Sequence, residues 1–160
     1  MKTALVSGSF DPVTLGHVDL VERAAKLFDR ILVVSFINPE KTYRFSEEQR
    51  VVFMADAFSH LPNVEVGHYS GMLYELALEK EVCAIVRGVR SNQDLDYEIE
   101  MAEYNKLHTN GCETIFLPAT KGLESLSSSA VKRCFDAGED ISQLVTPMVA
   151  AALQNEKKEC

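Results

Sequence analysis

Apolar residues along the chain fall into short continuous runs separated by stretches of helical spacing, and the two kinds take turns from one end to the other. The runs are Thr3 to Val6, Arg30 to Ile37, Val64 to Tyr69, Val82 to Val86 and Thr114 to Leu117. They are short and rich in β-branched residues, which predicts strands, and Arg30 to Ile37 reads as a central strand covered on both faces. Between them, Val18, Val21, Ala24 or Ala25 and Phe28 recur at helical spacing behind a candidate N-cap, Thr14. Ser46-Glu47-Glu48-Gln49 is a capping box that starts a helix to about Phe58. Met72 to Lys80 and Ser91 to about His108 predict two further helices, the second with Leu95, Ile99, Ala102 and Leu107 on its apolar side. A helix begins at the serines before Ala130 and stops near Gly138. Thr146-Pro147 opens a last one that frays into the charged tail Glu156 to Glu159.

Strands alternating with helices predict an α/β fold, a doubly wound five-stranded parallel sheet in a single domain over residues 1–160. Right-handed crossovers bring the segments that follow the strands to one edge, where open α/β sheets bind ligands. With 46% hydrophobic and 25% charged residues the composition is that of an ordinary globular chain, without repeats or linkers. Met1-Lys2 leads straight into a strand without a signal-peptide layout, and no apolar run approaches a membrane span. The expected location is the cytoplasm, with no membrane partner. A net charge of −8 argues against a general nucleic-acid surface, so positive charge should be concentrated where it is used. Cys83, Cys112, Cys134 and Cys160 lack paired spacing, which indicates free thiols and neither a zinc site nor a disulfide framework.

Three stretches carry candidate chemistry. In Ser7-Gly8-Ser9-Phe10-Asp11-Pro12-Val13-Thr14-Leu15-Gly16-His17 a strand gives way to a helix. Gly8 and Gly16 admit close backbone approach, and a Thr14 cap places Gly16 and His17 in the first turn, where free N–H groups attract anions. The third glycine of a dinucleotide fingerprint and the Gly-Lys-Ser/Thr end of a P-loop are both missing. An ordinary corner with a capping histidine is the alternative. The second stretch, Arg87-Gly88-Val89-Arg90, sets two guanidinium forks at a strand end, where they could pair with phosphate or simply be solvated; Lys41 follows another strand. The third, Leu126-Ser127-Ser128-Ser129-Ala130-Val131-Lys132, offers serines at a helix start, either as caps or as a cradle for phosphates.

The first stretch resembles the first signature of the nucleotidylyltransferase superfamily, often His-x-Gly-His, with Thr14 here in place of the first histidine. The third resembles the second signature, Ile-Ser-Ser-x-x-Val/Ile-Arg/Lys, with Leu126 for isoleucine. The threonine form, Lys41 and Arg-Gly-x-Arg together are similar to the bacterial phosphopantetheine adenylyltransferase family, and the resemblance covers essentially the whole chain. It implies a Rossmann-like nucleotidylyltransferase fold and reversible transfer of the adenylyl group of ATP to 4′-phosphopantetheine, giving dephospho-coenzyme A and pyrophosphate. It also implies Mg²⁺ accompanying ATP, with no dedicated protein metal site, and a homohexamer.

By the same resemblance His17, Lys41 and Arg90 are catalytic, and Ser9, Lys41, Leu73 and Arg87 hold the acceptor, with Leu73 on the pantetheine arm. Ser9, Phe10, His17, Gly88, Val89, Arg90, Glu98 and the run Leu123, Glu124, Ser125, Leu126, Ser127, Ser128 and Ser129 contact ATP. Ser9 stands where the family often has threonine, and Thr42 where a second lysine is common. The implied chemistry suits the residues: a phosphate nucleophile with a second pKa of about 6 is already ionised at neutral pH, so no general base is needed. His60, His68 and His108 read as structural. The rival functions are a sibling nucleotidylyltransferase for nicotinamide nucleotide or glycerol phosphate, a nucleotide-binding sensor, and an interaction module.

Overall fold

Five strands and six helices alternate: β1 (Thr3–Gly8), α1 (Leu15–Ala25), β2 (Arg30–Phe36), α2 (Glu47–Ala57), β3 (Val64–Tyr69), α3 (Leu73–Glu79), β4 (Ala84–Val89), α4 (Asn92–His108), β5 (Glu113–Pro118), α5 (Ser128–Asp136) and α6 (Pro147–Glu159). In this computed structural model, which describes residues 1–159, the strands form one sheet in the order β3-β2-β1-β4-β5. All its pairings are parallel. Cys160, read above as a free thiol, lies outside the described residues. Cys83, Cys112 and Cys134 are free thiols.

Strand alternation divides the core. Ala4 and Val6 of β1 and Ile31 and Val33 of β2 face one side, under Val21 and Ala24 of α1, Phe53 and Met54 of α2, Val131 and Phe135 of α5, and Val149 and Leu153 of α6. Leu5, Leu32 and Val34 face the other side, under Leu76 and Ala77 of α3. Both faces of β1 and β2 are therefore apolar, which is why these strands read as continuous runs rather than as alternation. The predicted capping box of α2 is present: Ser46 Oγ accepts from the Gln49 N–H, and the Gln49 side chain accepts from the Ser46 N–H.

Three expectations change. β4 does not end at Val86. Arg87, Gly88 and Val89 pair with Phe116, Leu117 and Pro118 of β5, so the first arginine and the glycine lie within the strand. Alternation then turns Gly88 toward α1, where a Cβ would stand 3.3 Å from Leu20 Cδ2, and Arg87 toward α4. The apolar side assigned to α4 is only partly its inward one: Leu95 and Ala102 are half-buried. Ile99 and Leu107 are exposed, and the residues buried along this helix are Glu98 and Asn105, because its inward face borders a polar cleft. The C-terminal tail does not fray. α6 continues to Glu159, held by Glu156 on Arg44 at 2.9 Å and by Lys157 Nζ on the Phe135 carbonyl at 3.2 Å.

The turn after β1 depends on Asp11, whose side chain is 4% exposed. One carboxylate oxygen accepts the Phe45 N–H at 2.9 Å, while the other accepts the Arg44 N–H at 2.9 Å and Lys132 Nζ at 3.2 Å. One side chain thus ties the β1–α1 turn to the segment entering α2 and to the first turns of α5. Asp11→Ala leaves two backbone donors and an ammonium without their acceptor, and should destabilise the fold by about 3 kcal/mol in urea titration.

Candidate active site

β1 pairs with β2 on one side and β4 on the other, so the connections leaving β1 and β4 diverge and open a crevice at their C-terminal ends. A cavity of about 740 Å³ fills it. A narrower one of about 280 Å³ adjoins it, sharing Ser7, Gly8, Ser9, Lys41, Tyr43, Arg87, Tyr97 and Glu98. The narrow arm is walled by Phe36, Leu73, Met101 and Ala102, with Asn105 and Thr114 among its polar residues.

His17 lines the larger cavity and is set by a reciprocal cap. Thr14 Oγ1 accepts the His17 N–H at 3.3 Å, and the Thr14 N–H donates to His17 Nδ1 at 2.9 Å. Because Nδ1 is the acceptor, the proton of the neutral ring sits on Nε2. Phe10 meets the ring edge-on with centroids 4.8 Å apart. Burial, reinforced by the positive charges of Arg90 and Arg87, lowers the His17 pKa to about 4. At neutral pH the cleft therefore holds an uncharged imidazole that donates from Nε2.

The cations are arranged differently from one another. Arg87 is locked: Nε and Nη2 form a fork with Glu98 at 2.8 and 2.7 Å, and Nη1 reaches the Ser7 carbonyl at 2.6 Å. Glu98, placed by the resemblance among ATP contacts, spends its carboxylate on this fork. Arg90, just ahead of the Ser91 cap of α4, is 41% exposed and pairs with Asp94 of the first turn at 3.2 Å. Lys41 forms no ion pair among the described residues, although it borders both cavities.

Ser127 caps α5 by accepting the Ala130 N–H at 3.0 Å, and Ser128 Oγ donates to the Pro12 carbonyl at 2.7 Å, fastening the third stretch to the first. Gly16 lies beside the same junction, where a Cβ would be in ordinary contact with Thr14 Oγ1 at 3.4 Å and the Leu126 carbonyl at 3.5 Å.

Of the residues singled out in the sequence, Ser9, Phe10, His17, Lys41, Arg87, Gly88, Val89, Arg90, Glu98, Leu123, Leu126 and Ser127 to Ser129 border the larger cavity, and Leu73 borders the narrow arm. Glu124 and Ser125 border neither; the Glu124 carboxylate accepts the Gly122 N–H at 2.7 Å. Sequence reasoning missed Lys132, Asp19 and Arg23 as cleft residues. Helical spacing held the signal, because Lys132 stands four residues after Ser128, and Asp19 and Arg23 are an i,i+4 pair one turn into α1. His60 and His68 form surface pairs with Glu22 and Glu47 away from the cleft.

A parallel sheet with a large cation-bordered crevice at its switch point, a neutral histidine in a helix's first turn and a serine capping a second helix define a nucleotide-transferring enzyme of the α/β class. A family model described as cytidylyltransferase-like matches residues 5–134. A phosphopantetheine adenylyltransferase of Pasteurella multocida is 41% identical over 158 residues, 99% of this chain and 100% of that protein. One from Cutibacterium acnes is 44% identical over 150 residues, 94% of this chain and 95% of that protein. A crystal structure from Vibrio parahaemolyticus, assigned as a nicotinate-nucleotide adenylyltransferase, shares the fold with a TM-score of 0.69 at 24% identity, covering 98% of this chain and 94% of its own. The chain belongs to the phosphopantetheine adenylyltransferase family.

The setting of His17 has a measurable consequence. An unfolded histidine titrates near 6.5, whereas His17 in the folded chain titrates near 4. Between these values the unfolded chain binds the extra proton, so stability should fall as pH drops from 6.5 toward 4. Replacing His17 by Gln should flatten that slope, and the His17 ring resonances of the wild type should titrate near 4 by NMR.

Proposed function

We propose that this chain transfers the adenylyl group of ATP to 4′-phosphopantetheine, forming dephospho-coenzyme A and pyrophosphate, by direct in-line attack of the acceptor phosphate on the α-phosphorus. The observation that carries the reading is the Thr14–His17 cap, which presents a neutral Nε2–H to a cleft bordered by Lys41, Arg87, Arg90 and Lys132. Every carboxylate that borders this cleft is already engaged: Asp11 by Lys132, Asp19 by Thr120 and Arg23, Asp94 by Arg90, and Glu98 by Arg87. No free side-chain base is needed, since the acceptor phosphate arrives ionised. The work left to the protein is to align two polyanions and to stabilise charge at the reacting phosphorus.

In this reading Ser9, Lys41 and Arg87 hold the acceptor phosphate, and Leu73 and its apolar neighbours take the pantetheine arm along the narrow cavity. Arg90, Lys132 and the N–H groups at the start of α5 take the triphosphate, beside Gly88, Val89, Leu123, Leu126 and Ser127 to Ser129. His17 donates from Nε2 to an oxygen of the α-phosphate as charge builds there. Among the described residues no three His, Cys, Asp or Glu side chains form a metal-binding group. In this reading Mg²⁺ arrives on the ATP phosphates, as part of the substrate, as Mg²⁺ is commonly held by substrate phosphates and water.

The proposed assembly is a homohexamer. Its support within the chain is the exposed apolar side of α3 and α4, where Met72, Leu78, Ile99, Tyr104 and Leu107 stand in the open. No described helix is long and apolar enough to cross a membrane, and the cytoplasm is the proposed location.

Purified protein with Mg²⁺, ATP and 4′-phosphopantetheine should release pyrophosphate and form dephospho-coenzyme A by mass spectrometry; turnover of nicotinamide mononucleotide in its place would overturn the reading. His17→Ala should lower single-turnover rates by about two to three powers of ten, the cost of one preorganised donor, while ATP binding by calorimetry changes little. Lys41→Ala should lose much of its effect in acceptor binding, because its ammonium holds that phosphate in ground and transition states alike.

A further inference from the structure

Arg50 of α2 is 2% exposed and forms no ion pair among the described residues. Its Nη1 donates to the Ser9 carbonyl at 2.8 Å and to Ser35 Oγ at 2.9 Å, and Ser35 Oγ donates to the same carbonyl at 3.2 Å. Its guanidinium carbon stands 4.1 Å from the centre of the Tyr43 ring, and its Nε has no partner. A buried cation held by a carbonyl, a hydroxyl and an aromatic face, with one donor unsatisfied, is an expensive way to fill a core. Packing alone does not call for it, since an apolar side chain of that size would bury more cheaply.

What Arg50 touches suggests its use. Ser9 and Tyr43 both border the larger and the narrower cavity. The Tyr43 hydroxyl accepts the Asn38 N–H at 2.8 Å and donates to the Phe36 carbonyl at 3.4 Å, and the Lys41 N–H donates to the Asn38 carbonyl at 3.0 Å. Tyr43 is therefore the post around which the Lys41 loop is wound, and the Arg50 guanidinium stands over its ring. One guanidinium sets the backbone of Ser9 on one side and the support of Lys41 on the other.

We propose that Arg50 is a positioning residue for the acceptor phosphate, fixing Ser9 directly and Lys41 through Tyr43 while touching neither substrate. The proposal rests on the functional reading above, which places that phosphate between Ser9 and Lys41. It predicts an asymmetric defect, because the reading sets Ser9 on the acceptor phosphate, and Arg50 hydrogen-bonds to none of the triphosphate groups at the β4–α4 connection and the start of α5.

The test is steady-state kinetics of wild type, Arg50→Gln, Arg50→Lys and Tyr43→Leu, with each substrate varied at saturating levels of the other and folding checked by thermal melting. Arg50→Gln and Tyr43→Leu should raise KM for 4′-phosphopantetheine by about tenfold or more, as expected for loss of a charged hydrogen bond or its aromatic support, with KM for ATP changed less than about twofold. Arg50→Lys, which can still reach the Ser9 carbonyl, should recover part of the loss. If Arg50→Gln does not fold, the split in Arg50→Lys and Tyr43→Leu decides the matter. Unchanged KM values, or equal rises for both substrates, in the folded variants beside an active wild type would overturn the positioning role alone. A wild type that makes no dephospho-coenzyme A would overturn the functional reading and this proposal with it.

Discussion

The reciprocal hydrogen bonds between Thr14 and His17 are the constraint on which the cleft depends. They complete the N-terminus of α1 as a capping box does, and in the same act they settle which ring nitrogen is free. A histidine whose Nδ1 accepts a backbone N–H can offer only Nε2–H, and the buried setting beside Arg87 and Arg90 keeps the ring neutral. Helix stability and site chemistry are here one interaction, so Thr14 serves where many of the superfamily's members carry a first histidine.

Around that donor the chain assembles positive charge out of a net charge of −8. The topology does this, because β2 and β4 deliver Lys41, Arg87 and Arg90 to the edge where β1 delivers the neutral His17, and α5 adds Lys132 and a serine-capped N-terminus fastened to the Pro12 carbonyl. Each carboxylate nearby is committed to holding a cation or a backbone donor in place. Asp11 anchors the 44–45 backbone, Glu98 orients Arg87, and Asp94 pairs with Arg90. The acidic groups act as scaffolding for a site that itself favours anions.

Much of this was legible in the sequence, for physical reasons that can be named. Val64 to Tyr69 and the Ser46 capping box were read to the residue: the first is an edge strand whose apolar run ends at clear turn residues, and the second is a helix cap with a strong local signature. The Thr14 cap followed from the place where helical spacing begins. The length of β4 was not legible, since pairing with Phe116 to Pro118 extends it through a glycine that local propensity would leave in a loop. The buried side of α4 was half misread: Leu95 and Ala102 turn inward as expected, but Glu98 and Asn105 share that face toward the cleft, so apolar Ile99 and Leu107 are left outside. Arg50 gave no sequence signal, because its meaning lies in the Ser9 carbonyl, 41 residues away along the chain, and in a contact with Tyr43 that no local pattern marks.

A neutral His17 that donates from Nε2, with Nδ1 already occupied, has no lone pair to attack phosphorus, so transfer should be a single displacement. The most direct measurement is the stereochemical course with ATP made chiral at the α-phosphorus by sulfur and oxygen isotopes, read by phosphorus NMR of the product. Inversion of configuration is the expected result. Retention would mean two displacements through a covalent adenylyl-enzyme, and would contradict a cleft that works by alignment and charge alone.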